Sequence, residues 1–130
     1  METKTYDAKD VSVIVDGVYL TGFGEDMVEV AKAENNYEVK VGAQGDTTRS
    51  KINNKTGTIK VTLLQSSPQV PYLDILANSG KLVPITVIYA GEPKEISSAT
   101  EAFVQKPADR KYKSSGEDRE YEFQCLDLSM

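Results

Sequence analysis

A chain of 130 residues is long enough for one domain with a real core and too short for two comfortable ones. An apolar fraction of 39% and a charged fraction of 27% exclude a disordered chain. The net charge of −5, with no basic tail, argues against a non-specific grip on nucleic acid, which needs clustered Lys and Arg.

In chain order, Val11-Ser12-Val13-Ile14-Val15 is a β-branched run ended by Asp16-Gly17. Both residues of that pair tolerate positive φ, so it predicts a tight hairpin with Val18-Tyr19-Leu20-Thr21 as the return strand. Gly22 to Asp26 is expected to break the run before Met27-Val28-Glu29-Val30-Ala31-Lys32 resumes it, so the first third reads as a β-meander. Tyr37-Glu38-Val39-Lys40-Val41 and Thr58-Ile59-Lys60-Val61-Thr62-Leu63 alternate apolar with polar residues. Each is therefore expected to turn one apolar face to a core.

Between those two runs, residues 42–57 contain almost nothing apolar. Loops beyond about 12 to 15 residues are uncommon in compact domains and are usually functional or disordered. This segment is either solvated or ordered by another molecule.

After Gln65 the period changes. Ser67-Pro68 reads as a helix entry and Gly80 as a left-handed stop, which predicts one helix over about residues 69–79. Tyr72, Ile75, Leu76 and Ser79 are expected on its packed face. Leu82 to Tyr89 returns to strand, with Pro84 at its start or on an edge. Residues 92–105 fit either a helix, through Ile96, Ala99 and Phe103, or a strand. A polar loop over 111–118 precedes a last strand over 119–127. The expectation is a mainly β chain, an antiparallel β-sandwich or barrel-like domain with one flanking helix.

The chemical inventory is thin. Without histidine, no Ser-His-Asp or Cys-His system exists within the chain. The single cysteine, Cys125, excludes an internal disulfide and reads as a small buried hydrophobe in a strand. Gly22-Phe23-Gly24 lacks the helix pattern that a dinucleotide loop requires. Glu25-Asp26 and Glu117-Asp118 lack the spacing of a calcium loop and read as solvated turn residues. No catalytic site, metal or cofactor is expected. No apolar run follows Met1-Glu2-Thr3-Lys4, so neither a secretory leader nor a membrane-spanning segment is expected.

Several segments, in order along nearly the whole chain, resemble the tail tube proteins of contractile-tailed bacteriophages and phage-derived contractile bacteriocins. They are Tyr6-Asp7-Ala8-Lys9-Asp10-Val11, Val15-Asp16-Gly17-Val18-Tyr19-Leu20-Thr21-Gly22-Phe23, and Val41-Gly42-Ala43-Gln44-Gly45-Asp46-Thr47-Thr48-Arg49-Ser50. Thr56-Gly57-Thr58-Ile59, Leu63-Leu64-Gln65-Ser66-Ser67-Pro68 and residues 99–110 continue the likeness. Phe103 and Tyr121 stand where members often carry tryptophan.

The resemblance implies a β-sandwich with a flanking helix, in subunits that form hexameric rings stacked into a hollow tube. It also implies a long hairpin arm that reaches the neighbouring ring. Its implied partners are copies of itself, a surrounding sheath protein, baseplate and tail-terminator proteins at the ends, and DNA that passes without specific binding. The implied location is a virion tail or a released bacteriocin particle, after synthesis in the bacterial cytoplasm.

The segment over 42–57 is the natural arm, with Gln44, Asp46, Thr47, Thr48, Arg49, Ser50, Lys51, Ile52, Asn53, Asn54 and Lys55 as its contact residues. Arg49, Lys51 and Lys55 outnumber Asp46 there, on an otherwise acidic chain. A different β-rich tail or baseplate component is the alternative within the structural class. A free-standing β-sandwich that binds a ligand is the alternative outside it.

Overall fold

A computed structural model describes residues 2–130 and is built mainly from antiparallel strands. After a short turn over Ala8–Asp10 come β1 (Val11–Val15), β2 (Val18–Tyr19), β3 (Phe23–Lys32), β4 (Tyr37–Val41), β5 (Thr47–Lys51) and β6 (Gly57–Leu63). Helix α1 (Val70–Ser79) separates these from β7 (Val83–Tyr89), β8 (Glu95–Val104) and β9 (Arg119–Cys125). Seven strands form one sheet in the order β2-β1-β7-β8-β9-β6-β3, and β4 and β5 pair only with each other.

The Asp16-Gly17 turn forms as expected, with φ of 48° and 79°, the double positive that a tight hairpin needs. The meander does not. β2 pairs only with β1, while β3 crosses to the opposite flank of the sheet and pairs with β6. Nor do Gly22 to Asp26 break the chain: Phe23, Gly24, Glu25 and Asp26 belong to β3, whose register shifts between Phe23 and Val28. A bulge takes up the extra residues there without ending the strand.

Residues 95–104 form strand β8. Ile96 is half exposed while Ala99 is buried, so the residues that fitted a helix do not share a face. Pro84 sits second in β7, where the register against β8 shifts between Val83 and Ile85. Its carbonyl accepts from the Asp16 amide at 2.9 Å.

In β6 and β9 the inward positions alternate strictly. Ile59, Val61 and Leu63 of β6 face Phe123 and Tyr121 of β9, all at 0% exposure, in a register running from Gly57 opposite Cys125 to Leu63 opposite Arg119. Val13, Val15, Ile85, Ala102 and Val104 join the same core. The one α-helix among the described residues, about 15 Å long, cannot cover so many strands. The sheet therefore curls so that its inner face covers itself, in the barrel-like manner expected.

Helix α1 begins close to the predicted point but is held differently. Ser67 does not cap it. Its hydroxyl donates to the Thr21 carbonyl at 2.6 Å, and the Gln69 side chain accepts from the Thr21 amide at 2.9 Å, tying the helix entry to the end of the first hairpin. Pro71 pre-sets the first turn, and Gly80, at φ 67°, closes the last by donating to the Leu76 carbonyl.

Of the four residues expected on the packed face, Leu76 is buried and Tyr72 packs half-buried on the core, whereas Ile75, 65% exposed, and Ser79 turn outward and Val70 and Leu73 take their place. Two residues along a helix are turned by about 200°, so Ile75 must face away once Leu73 faces in. Two phenols fasten the helix to the sheet. Tyr72 donates to the Val15 carbonyl at 3.4 Å, and Tyr121 donates to the Asp74 carboxylate at 2.8 Å. Burial, then the Asp74 hydrogen bond, drives the Tyr121 phenol well above its ordinary pKa, so it stays a donor.

Candidate functional site

The feature that leaves the body is the β4–β5 hairpin. Its register places Tyr37 opposite Lys51, Val39 opposite Arg49 and Val41 opposite Thr47. Directly opposed residues in a sheet share a face. One face therefore carries Tyr37, Val39, Val41, Thr47, Arg49 and Lys51, and the other Glu38, Lys40, Thr48 and Ser50.

The connecting loop is closed by the Gly42 amide on the Asp46 carbonyl at 2.7 Å, with Gly45 at φ 91°. A left-handed glycine after a tight turn keeps the two strands from splaying. At the root, Ile52 donates to the Asn36 carbonyl at 2.8 Å, and Ala33 donates to the Thr56 carbonyl at 3.2 Å. The Asn54 side chain accepts from the Thr56 amide and hydroxyl, folding the link between β5 and β6 into a local turn. Gly57 then enters the sheet where a β-carbon would meet the Leu128 side chain and stand 2.7 Å from the Ala31 carbonyl.

The arm thus spans 37–51, not 42–57. The hairpin that the resemblance implied is built from the expected strand over 37–41 and from residues 47–51, which were read as loop. Gln44 and Asp46 lie in its turn, and Thr47, Thr48, Arg49, Ser50 and Lys51 form its second strand, all exposed. Ile52, Asn53, Asn54 and Lys55 belong to the root, where Ile52 and Asn54 are partly buried.

Tyr37, Val39 and Val41 face no core, contrary to expectation: they are 46%, 65% and 64% exposed. The Arg49 guanidinium lies 4.4 Å from the centre of the Tyr37 ring, a cation–π contact that holds both side chains on this face. The return strand carried a signal of this. A face that pairs valines with Arg49 and Lys51 cannot be buried in its own core without stranding two charges.

The rest of the molecule offers little chemistry. Cys125 is fully buried and its thiol is pushed up to about 11, first by burial and then by the Asp127 charge, which makes it a poor nucleophile. Among the described residues, no group of three or more Cys, Asp or Glu side chains is gathered to hold a metal ion. No described helix is long and apolar enough to cross a membrane.

The family profile described as "Bacteriophage PhiTE tail tube protein" matches residues 4–130. The chain belongs to this family of phage tail tube proteins. Membership gives it a structural, tail-tube-associated role in a tail particle, as the resemblance in the sequence implied. No curated protein matches it.

Two solved structures share the fold of this tail tube chain. One is the anti-feeding prophage cap, described as the AFP tube terminating cap. It is 8% identical over 99% of this chain and 92% of that one, with a TM-score of 0.70. The other is the sheath/tube terminator of the PVC extracellular contractile injection system in its extended state. It is 10% identical over 98% of this chain and 96% of that one, with a TM-score of 0.67.

Proposed function

We propose that this chain is the subunit of the inner tube of a contractile tail, assembling as hexameric rings that stack into a hollow tube inside a contractile sheath. The β4–β5 arm carries this reading. A hairpin that leaves Val39 and Val41 about two-thirds exposed has a face with no partner among the described residues of its own chain. Full burial of such a side chain is worth about 1.5–3 kcal/mol, so covering several of them on another copy provides a substantial part of a contact.

The arm residues predicted from sequence, from Gln44 to Lys55, serve as inter-subunit contacts, and Tyr37, Val39 and Val41 join them. At a net charge of −5 per copy, a tube wall repels passing DNA rather than holding it. The reading is structural and assigns no catalytic step.

A second reading is a ring that ends a tube. The fold likeness to a tube-terminating cap and a sheath/tube terminator favours it. Negative-stain electron microscopy of the purified full chain over a concentration series separates the two. Long tubes are expected from a tube subunit, and single rings at every concentration from a terminator. A chain that stays monomeric throughout contradicts both. Replacing residues 37–51 by two glycines is expected to abolish stacking while circular dichroism keeps its β signal.

A further inference from the structure

We propose that the arm of one copy seats in a slot on the next copy, between its N-terminal segment and the outer edge of β3. This inference rests on the assembly reading above and names the surface that receives the arm. β3 is the last strand of the sheet, so the edge turned away from β6 has no strand partner. At the other end of the strand order, β2 pairs only with Ile14 and Val15, which leaves Val11 and Ser12 without a strand on that side.

These two flanks come together around a surface cavity of about 590 Å³, lined by the half-buried Val11, Met27 and Val28. Four exposed carboxylates, Glu25, Asp26, Glu29 and Glu120, border it against one lysine, Lys60. The paired face of the arm is its complement. Tyr37, Val39 and Val41 supply the apolar part, Arg49 and Lys51 supply the charge, and no carboxylate shares their face. Opposite potentials set register and hasten encounter, while apolar contact supplies the holding energy.

The occupant is not the chain's own arm, because every residue from Lys32 to Lys51 is exposed in the single chain. A second cavity is also acidic, with Asp109, Glu117, Asp118, Glu120 and Glu122 against two lysines, but its lining offers no apolar side chain to the valines.

The test mixes two full-length variants, Val39→Cys and Val28→Cys, under assembling conditions and adds a short bismaleimide linker. Buried Cys125 stays unreactive as an internal control. A cross-linked pair joining positions 39 and 28, absent from dilute monomer and absent with Glu117→Cys in place of Val28→Cys, is the expected result. Tubes in the microscope without that cross-link overturn the slot but leave the tube reading intact; failure to assemble at all removes both.

A charge exchange gives a second readout. Arg49→Glu with Lys51→Glu should lower tube yield at least about tenfold. Adding Glu25→Lys with Glu29→Lys should restore it. Unrestored yield in a variant that keeps its β signal counts against the slot.

Discussion

β6 and β4 have the same sequence rhythm and opposite surroundings. Both alternate apolar with polar residues along an antiparallel strand. In β6 the apolar set Ile59, Val61 and Leu63 is wholly buried, whereas in β4 the set Tyr37, Val39 and Val41 stands in the open. The difference lies in their partners. β6 is flanked by β9 and β3, and its inner face meets the core, while β4 has only β5, whose matching residues are Thr47, Arg49 and Lys51. Alternation defines a strand with an apolar face, but the chemistry of the paired strand decides whether that face can be covered from within.

The largest effect that tests this contrast falls on the body. Phe123→Ala removes a ring at 0% exposure and is expected to cost about 3–5 kcal/mol in urea unfolding. A loss under 1 kcal/mol would mean the curled sheet is not the stabilising unit.

The converse change, Val39→Ser with Val41→Ser, is expected to leave the stability of the isolated chain within about 0.5 kcal/mol, as for exposed sites away from special features. It should nonetheless remove tubes from micrographs. A marked fall in the unfolding midpoint would place the hairpin in the body instead.

The smallest effect concerns how the C-terminal end is held to the sheet. Asp127 accepts from the Thr100 hydroxyl and from the Glu101 amide at 3.0 Å, and these bonds hold its carboxyl below the ordinary value of 3.8. A carboxyl depressed in the folded state binds fewer protons there than in the unfolded chain. Its contribution is therefore complete above the ordinary value and fades as pH falls through the folded one. Asp127→Asn should be slightly less stable than the parent near neutrality, with the gap closing in acid. A gap that does not change with pH would show that the carboxylate charge is not its source.

Much of the body was legible because its signals are local. Asp16-Gly17 fixes a hairpin by backbone freedom alone, and Gly80 stops the helix, although the proline in its first turn is Pro71 and not the Pro68 read as its entry. The placement of β3 was not legible. It lies beside β6 rather than beside β2, and strand order is decided by which faces the whole sheet buries, not by neighbouring residues. The helix face was read correctly at Tyr72 and Leu76 but not at Ile75, for a related reason: Ile75 and Leu73 are equally apolar, and only contact with the sheet selects Leu73.

The arm was visible as a polar excess between two strands; of the basic residues read into it, Arg49 and Lys51 lie on its second strand and Lys55 lies at the root. Its apolar half was assigned to the core, since nothing within Tyr37–Val41 itself says what covers it. The opposing Arg49 and Lys51 held that information, but it becomes readable only once residues 47–51 are seen to pair back on the preceding strand.

The two-strand construction of the hairpin also restricts how its reach can vary. Lengthening both strands at the root by one residue advances the tip by about 3.4 Å but reverses which side every residue presents. Tyr37, Val39, Val41, Arg49 and Lys51 would then point away from whatever they had met. Lengthening by two restores the side at a reach greater by about 7 Å. Arm length is therefore a parity-constrained quantity: homologous arms that keep the same contact should differ by even numbers of residues per strand.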